Sequence, residues 1–385
     1  MTKRVARSEI RVLLIVPGAL ARITGGSIYD KRLYDYLRAR AVCVDVISLP
    51  DLPYFAGLIA SLIISPLLML KLAGRTYDLI IEDGWSHPPL FLFNLFCRVT
   101  PRYKIAIIVH QLRWLEIGYR VGAAIARRVE QSALKSSRLI FTVSKFMRRE
   151  IENLIGDELP MIIASPGCDR QREIGPGESY SQESSVTGST LRGPERGPVR
   201  LLFVGNCARR KGLHHLIRAF SILRDSLLTL DIVGDCAFDP AYTKELQDEV
   251  TRLLLGEAVT FHGRVSDEAL KSFYAQADLF VMPSSYEGFG IVYAEAMRAG
   301  LSIIACDTGP AAEIVSAGEN GLLVPHGDAD KLADAIRTLA ADEEMRRLYG
   351  RRSIELAHRL PTWDDTCSRV FESISNLICE KETFD

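Results

Sequence analysis

The chain has 385 residues, 48% of them hydrophobic and 25% charged, with a formal net charge of −1. This composition excludes a wholly disordered or collagen-like chain, and balanced charge without an RNA or DNA signature argues against a nucleic-acid partner. The balance hides a division, because residues 1–180 carry 25 basic and 17 acidic side chains while residues 181–385 carry 22 and 31. Halves of opposite sign, in a chain long enough for two cores, point to two domains with different partners.

At the N-terminus, Lys3, Arg4 and Arg7 precede VLLIVPGALA, which imitates a signal peptide. Only five apolar residues come before Pro17, however, fewer than the ~7–15 of a signal's apolar region. Val12–Val16 is read instead as a buried first strand leading into a glycine loop with Gly25 and Gly26. A helix over Ile28–Arg40 and a strand over Cys43–Ile47 follow.

Leu52–Leu70 is a run of nineteen residues without a charge, about the length of a membrane span. It has three readings: a span, a helix lying in the membrane surface, and a core helix. Pro66 would kink the helix. The next segment, Tyr77–Ile81, reads as another strand of the same sheet, and a span would put that sheet on both sides of a bilayer. Core and interfacial contact are therefore the favoured readings.

Further strands are predicted at Leu79–Ile81, Ile105–Val109, Leu139–Val143 and Met161–Ile163, with a helix at Ala123–Lys135. Continuous Val/Ile/Leu runs suit strands buried on both faces of a parallel sheet. Residues 170–199, rich in Gly, Pro, Ser and Glu, read as a linker or insertion. The alternation then restarts. Strands are expected at Arg200–Val204, Leu230–Val233, Val259–Phe261, Leu279–Met282, Ser302–Ala305 and Leu322–Val324. Helices are expected at Leu213–Leu223, Tyr242–Leu254, Asp267–Gln276, Ile291–Ala299, Ala311–Val315 and Ala329–Ala340. The fold class is α/β, with two doubly wound, Rossmann-like domains. Ligands of such sheets bind at the carboxyl ends of the strands, so two facing sheets would share a cleft.

The eight cysteines, at 43, 97, 168, 207, 236, 306, 367 and 379, include no C-x-x-C pair, which argues against a zinc site or a compact disulfide framework. Reduced, buried thiols are expected, in the cytoplasm.

The segment MPSSYEGFGIVYAEAMRAG, residues 282–300, carries the most chemistry. A strand ends at Met282, a turn carries Glu287, Gly288, Phe289 and Gly290, and a helix begins at Ile291 with Glu295 on its second turn. Free N–H groups and the positive end of the dipole at a helix start suit a phosphate or diphosphate. A carboxylate beside an anion site is better placed to accept hydrogen bonds from sugar or ribose hydroxyls. A lone glutamate on a helix would ordinarily be a solvated residue; the strand–turn–helix setting gives this pair its functional reading.

The Glu-x7-Glu pair Glu287/Glu295 resembles the signature of retaining glycosyltransferases of family 4, which have the GT-B fold. The resemblance continues through FVGNCARRKGLHHLIRAF (203–220), LDIVGD (230–235), VTFHGRVSDEALKSFYAQADLFVMPS (259–284), Asp307–Pro310 with Glu313, Gly318–Val324 and Pro361-Thr362-Trp363. It is thinner in the N-terminal half, at Gly25-Gly26, Val109-His110 and Ser165-Pro166-Gly167.

The resemblance implies an acceptor-side domain over 1–169, a linker over 170–199, a nucleotide-sugar domain over 200–360, and a C-terminal helix over 361–385 that returns to the first domain. It implies that Glu295 bonds the donor ribose, that Glu287 contacts the transferred sugar, and that Gly288, Phe289, Gly290 and Ile291 offer the turn and helix start to sugar or phosphate. Lys211 would neutralise the diphosphate, His110 would sit near the anomeric centre, Gly26 would lie under the diphosphate, and Val265 would be near the base. One departure matters. The family usually has Arg directly after the strand glycine, where this chain has Asn206, which is counted with Arg209 and Arg210 among the expected donor-binding residues; one of the two arginines is expected to supply the second positive charge.

The expected activity is retaining transfer of a sugar from a nucleoside diphosphate sugar, with no metal or other cofactor. The acceptor would be a glycan, a lipid-linked molecule or a small molecule. A peripheral contact with an anionic membrane, at the inner face of the plasma membrane, fits the basic first half and residues 52–70. The rivals are an epimerase or phosphorylase on the same fold, a non-catalytic sugar- or partner-binding protein, and a membrane-anchored structural protein.

Overall fold

The structure, a computed structural model, describes residues 10–20, 24–100, 103–117, 121–169, 197–223 and 227–379. Most of the expected linker, residues 170–196, lies outside the described residues. Two compact units emerge, one formed by residues 1–167 with 361–385, the other by residues 168–360.

In chain order, unit 1 holds β1 (Arg11–Pro17), α1 (Gly25–Ala39), β2 (Cys43–Leu49), α2 (Tyr54–Leu72), β3 (Leu79–Asp83), α3 (Phe91–Val99), β4 (Ile105–Val109), α4 (Arg113–Ile117), α5 (Val121–Leu134), β5 (Leu139–Thr142), α6 (Lys145–Ile155) and β6 (Met161–Ile163). Its six strands are all parallel, in the order β2-β1-β3-β4-β5-β6. Every residue of β3, β4 and β5 is buried, as continuous apolar runs in a two-sided parallel sheet require. The order reverses between β1 and β3, and a doubly wound sheet places ligands at such a switch point.

Unit 2 holds β7 (Val199–Val204), α7 (Leu213–Leu223), β8 (Leu228–Val233), α8 (Pro240–Arg252), β9 (Val259–Gly263), α9 (Asp267–Gln276), β10 (Leu279–Met282), α10 (Ile291–Arg298), β11 (Ser302–Cys306), α11 (Ala311–Ile314), β12 (Gly321–Val324), α12 (Ala329–Ala341) and α13 (Glu343–Ala357). The sheet order is β12-β11-β10-β7-β8-β9, again all parallel. This is the dinucleotide-fold order, with its switch point between β7 and β10.

The last helix, α14 (Trp363–Cys379), belongs to unit 1. Its Thr366 hydroxyl donates to Ser165 O at 2.6 Å and its Arg369 guanidinium to Ile163 O at 3.0 Å. A side chain at Gly167 would meet the Trp363 backbone at 2.2 Å, so the glycine permits this contact.

All eight cysteines are free. Even so, Cys207 and Cys236, 29 residues apart, bring their sulfurs to 3.7 Å, a proximity that motif spacing does not reveal.

Candidate functional site

In unit 2 the site is built by the two loops that leave the sheet on either side of its switch point. After β7, residues 209–211 make one 3-10 turn that ends at Gly212. Gly212 has φ +74°, and a Cβ there would lie 2.1 Å from Pro283 O. Only glycine fits, and that close approach brings the β7 loop against the one after β10. The Arg210 carbonyl accepts from Ser285 N at 2.8 Å and from the Ser284 hydroxyl at 3.0 Å.

These bonds seat three charges together. Lys211 Nζ stands 2.7 Å from Glu287 Oε1, and Arg210 Nη1 stands 3.0 Å from the same oxygen. The Ser284 hydroxyl donates to it at 2.8 Å. Lys211 and Glu287 are both buried. Burial pushes the Glu287 carboxyl up, but Lys211 and Arg210 override it and hold the group below its ordinary value. For Lys211, burial and the neighbouring Arg210 outweigh Glu287, so the ammonium loses its proton more readily than a free lysine.

The structure thus separates the two arginines. Arg210 is the second cation of the cluster. Arg209 is corrected to a position outside it: it is exposed, ion-paired with Glu245, and lies over the Tyr242 ring at 4.9 Å. Consecutive residues of a tight turn point in different directions, and the tether of Arg210 through its carbonyl leaves Arg209 on the outer side. Glu287, expected to meet sugar hydroxyls, commits one oxygen to the two cations.

Behind this cluster, Gly288 and Phe289 are buried and Gly290 caps α10 in the left-handed region at φ +89°. Ile291 opens the helix, and the Tyr293 hydroxyl bonds Met282 O at 2.9 Å, pinning helix to strand. One oxygen of Glu295 accepts from the Tyr274 hydroxyl at 2.9 Å, which fixes the carboxylate's direction. Asn206 turns its Oδ1 toward Asp235 N at 3.4 Å, joining the β7 and β8 loops. Val265, half-buried, lies between the end of β9 and Ser266, the N-cap of α9.

Unit 1 gathers His110 and Gly26 at its own switch point. Thr24 and Ser27 cap α1 reciprocally, setting Gly25 and Gly26 at its first turn. A Cβ on Gly26 would come within 3.1 Å of the His110 ring, so Gly26 leaves room for the imidazole. His110 Nε2 faces Asp30 Oδ1 at 3.6 Å and Asp83 Oδ2 at 3.7 Å. Asp83 is anchored by Trp85 N, which donates to its other oxygen at 2.6 Å. Burial alone would lower the His110 pKa, but the two carboxylates raise it. Burial and the adjacent Asp30 raise Asp83 well above the ordinary range. The three groups are buried together, and among the described residues they are also the grouping of ligand atoms, all within 4.8 Å, that could hold a metal.

Asp30 and Asp83 were not anticipated from sequence. Nor was a neighbouring pocket lined in part by Leu49, Asp51, Leu52, Tyr54, Trp85 and Arg113. The Arg113 guanidinium stacks 4.4 Å over the Trp85 ring. Its backbone N–H is held by buried Glu130 at 2.6 Å, a carboxyl that burial pushes up to about 7. The aspartate after an apolar strand, in IIEDGW, is the one sequence signal that points to this corner.

Two parallel six-stranded units, the second in dinucleotide-fold order, have the architecture of the GT-B fold. Residues 192–355 match the family described as glycosyl transferases group 1. Curated relatives include the alpha-maltose-1-phosphate synthase of Mycobacterium tuberculosis, 29% identical over 242 residues, a match covering 60% of this chain and 60% of that one. The D-inositol 3-phosphate glycosyltransferase of Paenarthrobacter aurescens is 31% identical over 269 residues, covering 69% of this chain and 64% of the relative. The chain therefore spans about 60% of the length of the first of these relatives. Among solved structures, the sucrose-phosphate synthase of Thermosynechococcus elongatus superposes with a TM-score of 0.79 at 22% identity, over 97% of this chain and 100% of that one. Anabaena HepE in complex with UDP and glucose gives 0.69 at 19% identity, over 94% and 99%. These likenesses establish the fold.

Proposed function

We propose that the chain is a retaining glycosyltransferase that moves a sugar from a nucleoside diphosphate sugar to an acceptor bound by unit 1. The observation that carries this reading is the Lys211–Arg210–Glu287 cluster at the switch point of unit 2, beside the start of α10. Two cations and one carboxylate leave a local surplus of positive charge where a diphosphate leaving group needs stabilisation. On this reading Glu295, directed by Tyr274, receives ribose hydroxyls, and the free carboxylate edge of the β10 loop faces the sugar. His110, whose pKa Asp30 and Asp83 raise against the effect of burial, serves as a hydrogen-bond donor to the transferred sugar. The leaving phosphate assists loss of the acceptor proton, with inversion avoided because entry and departure share one face. No metal takes part.

HepE was solved with UDP and glucose, so UDP-sugars are the first donors to try. The acceptor is a phosphorylated small molecule, a glycan or a lipid-linked sugar; the name of the Paenarthrobacter relative points to the first of these, D-inositol 3-phosphate. The test is a screen of nucleotide sugars for thermal stabilisation and slow hydrolysis, then an acceptor screen with the hit. Formation of an α-linked product from an α-linked donor, read by NMR coupling constants, supports the proposal. An inverted product overturns the retaining assignment, epimerised donor without acceptor indicates an epimerase, and no nucleotide binding by calorimetry overturns the enzyme reading.

A further inference from the structure

Helix α2 is packed inside out. The face against the rest of unit 1 consists of Tyr54, Gly57, Ser61, Ser65, Leu68 and Leu72, two of them serines. The outward face consists of Phe55, Ile59, Leu62, Ile63, Leu67 and Leu70, and Ile59, Leu62, Ile63 and Leu70 are 66–72% exposed. A helix on the surface of a water-soluble unit ordinarily shows the reverse polarity. The neighbouring helices extend the apolar surface with Leu95 and Val99 of α3 and Val121 and Ile125 of α5, all exposed.

Charge identifies the occupant. The three helices α2, α3 and α5 contain a single acid, Glu130, which is buried. Their exposed charges are Lys71, Arg98, Arg127 and Arg128, all basic. A second copy of the chain docking here about a two-fold axis would bring these four exposed cations, with only Asp51 and Glu116 at the margin, against themselves. An anionic lipid surface satisfies both the apolar strip and the cations around it. Nor does α2 cross the bilayer. The Tyr54 hydroxyl is bonded to His87 Nε2 at 3.0 Å and to Ala126 O at 3.3 Å, and the Ser65 hydroxyl donates to Pro89 O at 3.1 Å. A side chain at Gly57 would press on Pro88 and Pro89 at 3.2 and 3.3 Å. A spanning helix would have to break all of these contacts.

We infer that α2 docks unit 1 on an anionic lipid bilayer, lying in its surface with the outward side chains in the boundary between headgroups and acyl chains. Tyr54 at the start of this helix, with Leu52 just before it, also lines the pocket that holds Trp85 and Arg113. Docking therefore brings that pocket to lipid level, within reach of a lipid-linked acceptor. The docking itself does not rest on the proposed transfer reaction.

The test is flotation of the full chain with vesicles of phosphatidylcholine alone and of phosphatidylcholine mixed with phosphatidylglycerol. Binding to the mixed vesicles is expected, weakened by salt and reversed by alkaline carbonate. The double variant Leu62→Glu/Ile63→Glu, at positions already in water, should keep the far-UV spectrum and bind the mixed vesicles at least ~10-fold more weakly. Arg127→Glu/Arg128→Glu should abolish the preference for phosphatidylglycerol. Unchanged binding by Leu62→Glu/Ile63→Glu overturns the inference. Retention through carbonate overturns it in favour of a span. A lipid-free dimer that this variant dissociates, without vesicle binding by the parent, overturns it in favour of self-association. Donor hydrolysis measured in the same variant tells loss of docking from loss of the catalytic reading, because docking-defective protein should hydrolyse free donor at the parent rate.

Discussion

Replacing Glu287 by Gln tests the charge cluster most directly. The amide keeps the size of the side chain and its bond with Ser284 but removes the charge that faces Lys211 and Arg210 at 2.7 and 3.0 Å. Breaking a buried pair by removing one partner costs about 3–5 kcal/mol, because the remaining charge stays uncompensated. The lower end applies here, since Arg210 is only half-buried and burial already lowers the Lys211 pKa, which eases loss of the uncompensated charge. For a unit of this size about 1 kcal/mol moves the melting temperature by ~2–4 °C. The ligand-free variant should therefore melt about 6–12 °C below the parent in calorimetry. Because the folded carboxyl titrates below its unfolded value of about 4.5, its contribution is complete above that pH and is lost as pH falls through the folded pKa. The gap between variant and parent should accordingly close in acid. Inorganic pyrophosphate, which offers the two cations a replacement anion, should recover more stability in Glu287→Gln than in the parent. A variant that melts with the parent at neutral pH would refute the carboxylate's role as the buried counter-ion.

Three further substitutions separate the remaining roles. Arg210→Ala should weaken nucleoside diphosphate binding at least ~10-fold in calorimetry, whereas Arg209→Ala, which removes an exposed surface pair, should change it less than ~2-fold; equal effects would contradict the different directions of the two side chains. Asp83→Asn removes one of the two charges that raise the His110 pKa, so the imidazole signal in a proton NMR titration should move to lower pH. In the parent, the stabilisation from the raised His110 pKa is complete below about 6.5 and fades as pH rises through the folded value, while Asp83, also raised, already costs stability as pH rises above the ordinary carboxylate range; in the variant both dependences should flatten. Gly26→Ala places a methyl 3.1 Å from the His110 ring; turnover should fall while urea unfolding shifts by no more than about 1 kcal/mol, and unchanged turnover would show that the ring's position is not critical.

What could be read from the chain, and what could not, follows from how far apart the cooperating residues lie. The strands announced themselves because parallel, two-sided burial demands runs such as Ile105–Val109, and nothing else in a globular chain produces them so regularly. Residues 282–300 were legible because strand, turn and helix are contiguous, so the spacing of Glu287, Gly290 and Glu295 already fixes local geometry. The reading stopped at Arg209 and Arg210, since direction within a single turn is decided by tertiary bonds such as Ser285 N to Arg210 O. It missed Asp30 and Asp83 because they join His110 only through the β1–β3–β4 order, across separations no local pattern spans. Helix α3 was hidden by its composition: FLFNLFCRV is almost continuously apolar and offers little periodic contrast. Helix α2 shows the opposite limit. Its length and hydropathy were plain, but which side faced outward depended on where two serines and a glycine could pack.

The electrostatic division between the halves acquires a physical meaning from these details. Residues 181–385 carry nine more acidic than basic side chains, a poor long-range field for an anionic donor. Beyond about 8–10 Å, however, exposed charges are screened at physiological salt, while buried ones at contact are not. Lys211, Arg210 and the start of α10 act inside that radius, in a buried setting where each charge counts for more. On the proposed reading, the background acidity would slow the arrival of a nucleotide sugar, and the cluster would set how firmly its diphosphate is held. Glu287 then has a second consequence. By neutralising one of the two cations it lowers the self-repulsion of the pair, yet leaves one net positive charge to attract an anion. The basic surplus of residues 1–180 works the other way, because its exposed members on α2, α3 and α5 attract a charged surface over about one Debye length and in a salt-dependent manner. The two halves use charge at different ranges, which is why a net charge of −1 for the whole chain conceals both.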